Sequence, residues 1–365
     1  MRKTCQSYLL LTALYIFAGC TQETETPFPE VLPDNNQYPI SWSVPSVQSV
    51  VARALVDDTL LQGACTPKAD GTHRSIGVWG QSIVTIGTQS STYEDFVATP
   101  LTYADKEEDS NPYSKWNYPG GAKYWRTHAV YNFRACYPQN VMTGLMTQMD
   151  ATVFQGGPIN TSVLQEDVLV AATRIDTKTS DLTKPVPLQL QHIFAALKFK
   201  VNAVDGFVPA AGEGITSCWL QNQTNAADLF SPSGYLVHSG NLVSEIKWYP
   251  YESSVAPMYL WEHTRVSFNE ENTLYIPNGG LKGSEYTSND GWLLIVPQQV
   301  KAETLHFCYT LKNAGTKVFS VPIPAITYEN AKQYTYLLEI RGSSAELTLS
   351  IAPWNNIESS YDIVL

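Results

Sequence analysis

The sequence predicts an all-β protein made of two tandem antiparallel β-sandwich domains. Three observations lead there. Apolar and polar residues alternate with period two in many short runs, while helical spacing is scarce. Loops rich in Gly, Pro and Asn separate the runs, with 22 Gly and 22 Pro in 365 residues. The length left after an N-terminal signal, 346 residues, exceeds what one ordinary hydrophobic core serves.

Arg2 and Lys3 open the chain, and an apolar stretch follows from about Tyr8 to Phe17. Such a stretch is too short to cross a hydrocarbon core, which needs roughly 20 residues. A basic start, a short apolar core and small residues at Ala18 and Gly19 mark residues 1–19 as a secretory signal peptide. Ile16-Phe17-Ala18-Gly19-Cys20 resembles a bacterial lipobox, in which the cysteine is lipidated on sulfur and freed by cleavage before it. The plainer alternative is a cleaved signal with an incidental cysteine. Acid follows at once in Thr21-Gln22-Glu23-Thr24-Glu25, which resembles the surface-export signal of Bacteroidetes lipoproteins. The expected location is therefore the outer membrane, with export to the cell surface and a lipid tether on Cys20.

Residues 20–38 are polar and carry Pro27, Pro29 and Pro33, which predicts a flexible tether. An N-terminal sandwich over 39–180 opens with Ile40-Ser41-Trp42-Ser43-Val44, where Ile40, Trp42 and Val44 share the face that a core would bury. From Val130 to Tyr137, Tyr131, Phe133, Ala135 and Tyr137 fall on one face, with Asn132 and Arg134 on the other. The polar break "TKTSDLTKPVP", from Thr177 to Pro187, suggests a domain border, and a C-terminal sandwich takes 181–365. There Leu197, Phe199 and Val201 alternate with Lys198 and Lys200; Tyr334, Tyr336, Leu338 and Ile340 share a face, as do Leu347, Leu349 and Ile351. Alternation of this kind predicts sheets with one dry and one wet face. Trp292 to Val296 is apolar throughout and predicts a central strand.

The formal charge is −11, and it becomes −13 once Arg2 and Lys3 leave with the signal. With no basic patch, nucleic acid is not an expected partner. The sequence lacks GxSxG, HExxH, P-loop and GxGxxG motifs, and its six histidines (73, 128, 192, 238, 263 and 306) are dispersed. His192, entering an apolar strand, is expected to be structural, and Asp105–Asp109 to be a solvated turn. No catalytic residue, metal site or cofactor is expected, and the chain is read as not an enzyme. After Cys5 and Cys20, four cysteines remain. Two bridges, Cys65–Cys136 and Cys218–Cys308, and four buried thiols are both compatible with their spread. Trp116, Tyr118, Tyr124, Trp125 and Tyr131 cluster in "KWNYPGGAKYWRTHAVYNF". They are expected to pack a core, with a sugar-binding platform as the alternative.

The same stretches carry a family resemblance. "KWNYPGGAKYWRTHAVYNFRACYP", "EDVLVAATRIDTKTSDLTKPVPLQLQHIFAALKFKV", "WLLIVPQQV" and "LTLSIAPWNN", in this order, resemble the pattern of the fimbrillin-like proteins of Bacteroidetes, which build type V pili. The resemblance implies two sandwiches of transthyretin-like topology, export as a lipoprotein, and partnership with other pilus subunits in a head-to-tail polymer. It also implies proteolytic processing after an arginine near the first strand, here Arg53-Ala54 in "SVVARALVDD". Clipping there would release residues 20–53, carrying the lipid and the strand with Ile40, Trp42 and Val44, and a strand from a neighbouring subunit would fill the groove. The tail after Trp354 is short, with only Tyr361, Ile363 and Leu365 alternating, so shaft, tip and anchor roles all stay open. The other reading is a glycan-binding surface lipoprotein that does not polymerise.

Overall fold

The computed structural model describes residues 38–43, 45–47, 58–104, 115–161, 164, 166–203, 214–222, 230–240, 246–251, 258–267, 273–275, 293–301, 305–312, 316–341, 344–353 and 361–363. Cys20, Val44, Arg53, Ala54, Asp105–Asp109 and Trp292 lie outside the described residues.

The chain is all-β, with short helices at Asp58–Cys65 and Gln139–Leu145. A seven-stranded sheet dominates the first half. Its order is Ser46–Val47, Gln189–His192, Leu169–Asp176, Ala129–Tyr137, Ile76–Ile86, Gln89–Tyr103, Trp116–Asn117. A four-stranded sheet runs Ile246–Pro250, Ser233–Ser239, Val153–Asn160, Met146–Met149. A third sheet is centred on Ala195–Ala203, Lys332–Arg341 and Ser344–Pro353, and a fourth joins Met258–Ser267, Gly214–Asn222, Leu305–Lys312 and Thr316–Pro322.

Alternation in the seven-stranded sheet feeds two cores. Val78, Tyr131, Phe133, Ala135, Leu169 and Ala171 join one cluster. Their sequence neighbours Trp79, Cys136 and Val170 join another, with Phe154 and Ile159 of the four-stranded sheet. Period two sends these neighbours to opposite faces, so both faces are dry here. For these central strands this corrects the expectation of one wet face, while Gln89–Tyr103 keeps exposed residues along its length. Arg134 shows why: it is 1% exposed, donates to the carbonyls of Thr152 (2.6 Å) and Gly240, and holds its guanidinium 5.9 Å from the Phe154 ring. A buried cation is tolerated because carbonyls replace its water.

Strand pairing runs across residue 180. Leu169–Asp176 pairs with Gln189–His192, and Val153–Asn160 with Ser233–Ser239. The polar break between them is a built turn: Asp181 Oδ1 accepts from Thr183 Oγ1 (2.6 Å) and Thr183 N (3.1 Å). His192 is buried, with Nδ1 2.9 Å from the Asp167 carboxylate, and acts as part of the frame. In the third sheet Tyr334, Tyr336 and Leu338 are buried and alternate with half-buried neighbours, as their spacing predicts. Leu293–Ile295 is buried throughout, and among the described strands it pairs with Ala195–Leu197. The long pairing of Ala195–Ala203 with Lys332–Arg341 is parallel, which the antiparallel expectation missed.

Cys65, at the end of the first helix, and Cys136, in the seven-stranded sheet, are free thiols buried in separate cores, which excludes the first bridge. Cys218 is in register with Tyr309, and Cys308 with Trp219. Burial pushes the Cys65 thiol up to about 12 against a smaller lowering by Arg74, and burial raises Cys136 as well. Thiolate is the reactive form. Peptides containing Cys65 and Cys136 should therefore stay unalkylated by iodoacetamide at pH 8 in the native protein and label fully in denaturant. Native labelling at either would contradict this burial.

Candidate functional site

The segment 38–47 is the one the sequence singles out, and it lies between two walls. Pro39 bridges Tyr124 in antiparallel sense, and Trp42 bridges Val186 in parallel sense. Ser46 and Val47 continue in parallel register with Gln189 and Leu190 at the sheet edge. Over 40–43 it is not the continuous strand that alternation predicts, and Val44 lies outside the described residues. The segment's residues switch partners, because residues 123–125 border it first and residues 186–190 border it next.

Main-chain hydrogen bonds join it to both walls. Ile40 N donates to Lys123 O (2.7 Å), and Trp125 N to Tyr38 O (3.5 Å). On the other side Ser43 N donates to Val186 O (2.9 Å), Val186 N to Ser41 O (2.8 Å), and Leu188 N to Ser43 Oγ (3.4 Å). The Tyr118 hydroxyl ties segment to wall directly, donating to Ile40 O (3.0 Å) and accepting from Lys123 N (3.1 Å). Burial raises the Tyr118 phenol above its ordinary value, so it remains a neutral donor.

Ile40 and Trp42 are 1% and 0% exposed, as their spacing predicts. The Trp42 indole meets the edges of Phe96 and Phe133 at 5.3 and 5.2 Å between centroids. Gly80 makes room for these rings, since a Cβ there would fall 2.7 Å from Phe133 and 2.8 Å from Phe96. Gly80→Ala should therefore destabilise the protein by about 1–3 kcal/mol through overpacking, measured by chemical denaturation; an unchanged midpoint would show that the rings yield freely.

The wall at 123–126 is itself braced. Arg126 reaches Asp95 Oδ1 at 3.0 Å and stacks 4.2 Å from the Tyr93 ring centroid, while Lys123 Nζ donates to Asp95 O. Ser82 Oγ donates to Asp95 Oδ2 at 2.6 Å. Sequence reasoning missed two participants. Ser41 reads as a wet-face residue but is 3% exposed, and Tyr118 reads as generic core. The small serines at 41 and 43, alternating with large residues, are the one signal that points to a channel closed on both sides.

Of the aromatic cluster, Trp116, Tyr118, Trp125 and Tyr131 are buried in this same core, while Tyr124 is half-buried. Three exposed tyrosines lie together elsewhere: Tyr235, Tyr249 and Tyr251 are on and beside the paired strands Ser233–Ser239 and Ile246–Pro250, while Tyr38 is exposed at the start of the segment. No group of residues with metal-ligand geometry occurs among the described residues. No described helix is long and apolar enough to cross a membrane.

A family profile described as fimbrillin-like matches residues 69–354. The search of curated proteins found no match. Among solved structures, a fimbrial protein from Bacteroides vulgatus is 12% identical, with a TM-score of 0.56 over 87% of this chain and 99% of its own. The tip fimbrial protein Mfa3 from Porphyromonas gingivalis, with a C-terminal truncation, is 14% identical, with a TM-score of 0.35 over 76% of this chain and 94% of its own.

Proposed function

This chain belongs to the fimbrillin-like family, and on that premise we propose that it is a pilus subunit or accessory protein assembled by strand exchange. In this reading it reaches the outer surface as a lipoprotein anchored through Cys20. Cleavage between Arg53 and Ala54 then frees its N-terminal segment, and a segment from another subunit takes the place of Ile40, Trp42 and Val44. The role is structural, not enzymatic. Its partners are other pilus subunits, with the membrane engaged only through the lipid before processing.

One observation carries the reading. Ile40 and Trp42 complete a buried aromatic core, and the covalent link from their segment to the helix Asp58–Cys65 is residues 48–57, which include Arg53. A single cut there would leave the segment held by non-covalent contacts alone. Filling two such vacant side-chain sites is worth about 3–6 kcal/mol gross, at roughly 1.5–3 each. Contacts of this kind repeat head to tail without closing, and so make a fibre.

Mass spectrometry of the protein from envelopes and from sheared pili tests it. The expected N-termini are lipidated Cys20 in the first and Ala54 in the second. Cys20→Ala should abolish palmitate labelling and membrane association, and unchanged labelling would remove the lipoprotein step.

A glycan-binding reading has one observation in its favour. The Tyr235 and Tyr251 rings pack edge to face at 5.4 Å, and both are exposed, as is Tyr249. Exposed aromatic faces of this kind stack on sugar rings. Binding on a glycan array that is lost in Tyr249→Ala, together with an uncut N-terminus, would favour it.

A further inference from the structure

We propose that the channel around residues 38–47 selects its occupant by a large–small–aromatic pattern in one direction and one register, with the Tyr118 hydroxyl fixing that register. This rests on the strand-exchange reading and names the partner it requires.

Direction follows from the two walls. The resident segment is antiparallel to residues 123–125 and parallel to 186–190. Parallel and antiparallel pairs space their hydrogen bonds differently, so a reversed segment would mismatch both walls at once.

Register follows from Tyr118. Its buried hydroxyl accepts from Lys123 N and donates to Ile40 O, so the occupant must offer a carbonyl at that point. A buried donor left without an acceptor is costly. A slip of one residue removes that carbonyl and turns the large side chains away from the aromatic core.

Size follows from burial on both sides of the segment. Ile40 and Trp42 enter the core, and Ser41 between them is buried as well. An edge strand with one wet face accepts almost any residue at alternate positions, but position 41 accepts only a small one. The neighbouring Ser43 uses its Oγ to take the Leu188 amide.

The fitting partner is thus an extended segment of another subunit that reads large apolar, small, aromatic, small. This chain's own C-terminal alternation, Tyr361-Asp362-Ile363, sets a carboxylate between its two large residues. A charge in a covered position is disfavoured. Residues 361–363, which pair with Leu349–Ile351, are therefore a poor occupant of this channel, and a segment without a charge at that position fits it better.

The test has two arms. In the intact chain, Ser41→Leu should speed hydrogen exchange at the Ile40 and Ser43 amides by at least about tenfold, while Ser41→Ala leaves them protected. In protein cut once between Val47 and Asp58, three labelled peptides compete for the channel: residues 38–47, the same with Ser41→Leu, and residues 357–365. The first should displace the resident segment, and the other two should compete at least about tenfold less well. Tyr118→Phe should narrow the preference for the first peptide over a copy shifted by one residue. Equal competition by the Ser41→Leu peptide overturns the pattern. If no peptide enters, the strand-exchange reading fails, and unchanged amide exchange in intact Ser41→Leu overturns the selection rule separately.

Discussion

Trp42→Ala is expected to lower the unfolding free energy by about 3–5 kcal/mol, the range for deleting a buried aromatic side chain. The indole is fully buried and meets two phenylalanine rings edge to face, and no small movement of Phe96 or Phe133 can fill the space it leaves. Those rings are themselves packed: Phe96 against Tyr118 at 5.4 Å, Phe133 against Tyr131 at 5.5 Å. Trp42→Phe should cost less than its lost volume suggests. The Trp42 Nε1 has no hydrogen-bond partner among the described residues, and replacing the indole removes that buried donor. Chemical denaturation of the two variants measures both effects. A loss under about 1 kcal/mol for Trp42→Ala would mean that the segment is only loosely seated.

Much of this site was legible in the sequence, and the limits have physical causes. Alternation placed Ile40 and Trp42 on the core side, and Tyr131, Phe133 and Ala135 with them, because period two is a property of the backbone alone. What alternation cannot reveal is what lies across a face. Arg134 reads as wet, yet it is buried because the carbonyls of Thr152 and Gly240 come to it from bends next to the strands of the four-stranded sheet. Ser41 reads as wet for the same reason. Parallel pairs are equally hidden, since Trp42 meets Val186 across 144 positions, with several strands and turns in between and no local signal that joins the two. The fimbrillin-like motifs fared better than local patterning because they encode several such long-range partners at once. The polar turn at 177–187 was visible as a break, but composition alone does not tell a link between domains from a loop between neighbouring strands.

Arg53→Ala is expected to abolish fibre formation and leave a folded, lipid-tethered monomer. While residues 48–57 stay intact, the segment that carries Ile40 and Trp42 is bound within its own chain, and its effective concentration at the channel is millimolar or higher. A segment from another subunit at ordinary concentrations cannot compete with that, even with equal contacts. One cut after Arg53 turns the same contact into an association between separate chains. The competitor then gains by mass action, at a rate set by release of the resident segment. Both occupants bury comparable side chains, so the net free-energy change is small and the loss of the covalent link decides the outcome. Arg53→Lys, which keeps a trypsin-like site, should restore assembly, whereas Arg53→Ala should show an intact N-terminus and no protease-resistant ladder on gels. If Arg53→Ala still forms such ladders, or if wild-type fibres carry Cys20 at their N-terminus, then Arg53 is not the switch. The chain would then anchor the pilus or stand outside the polymer.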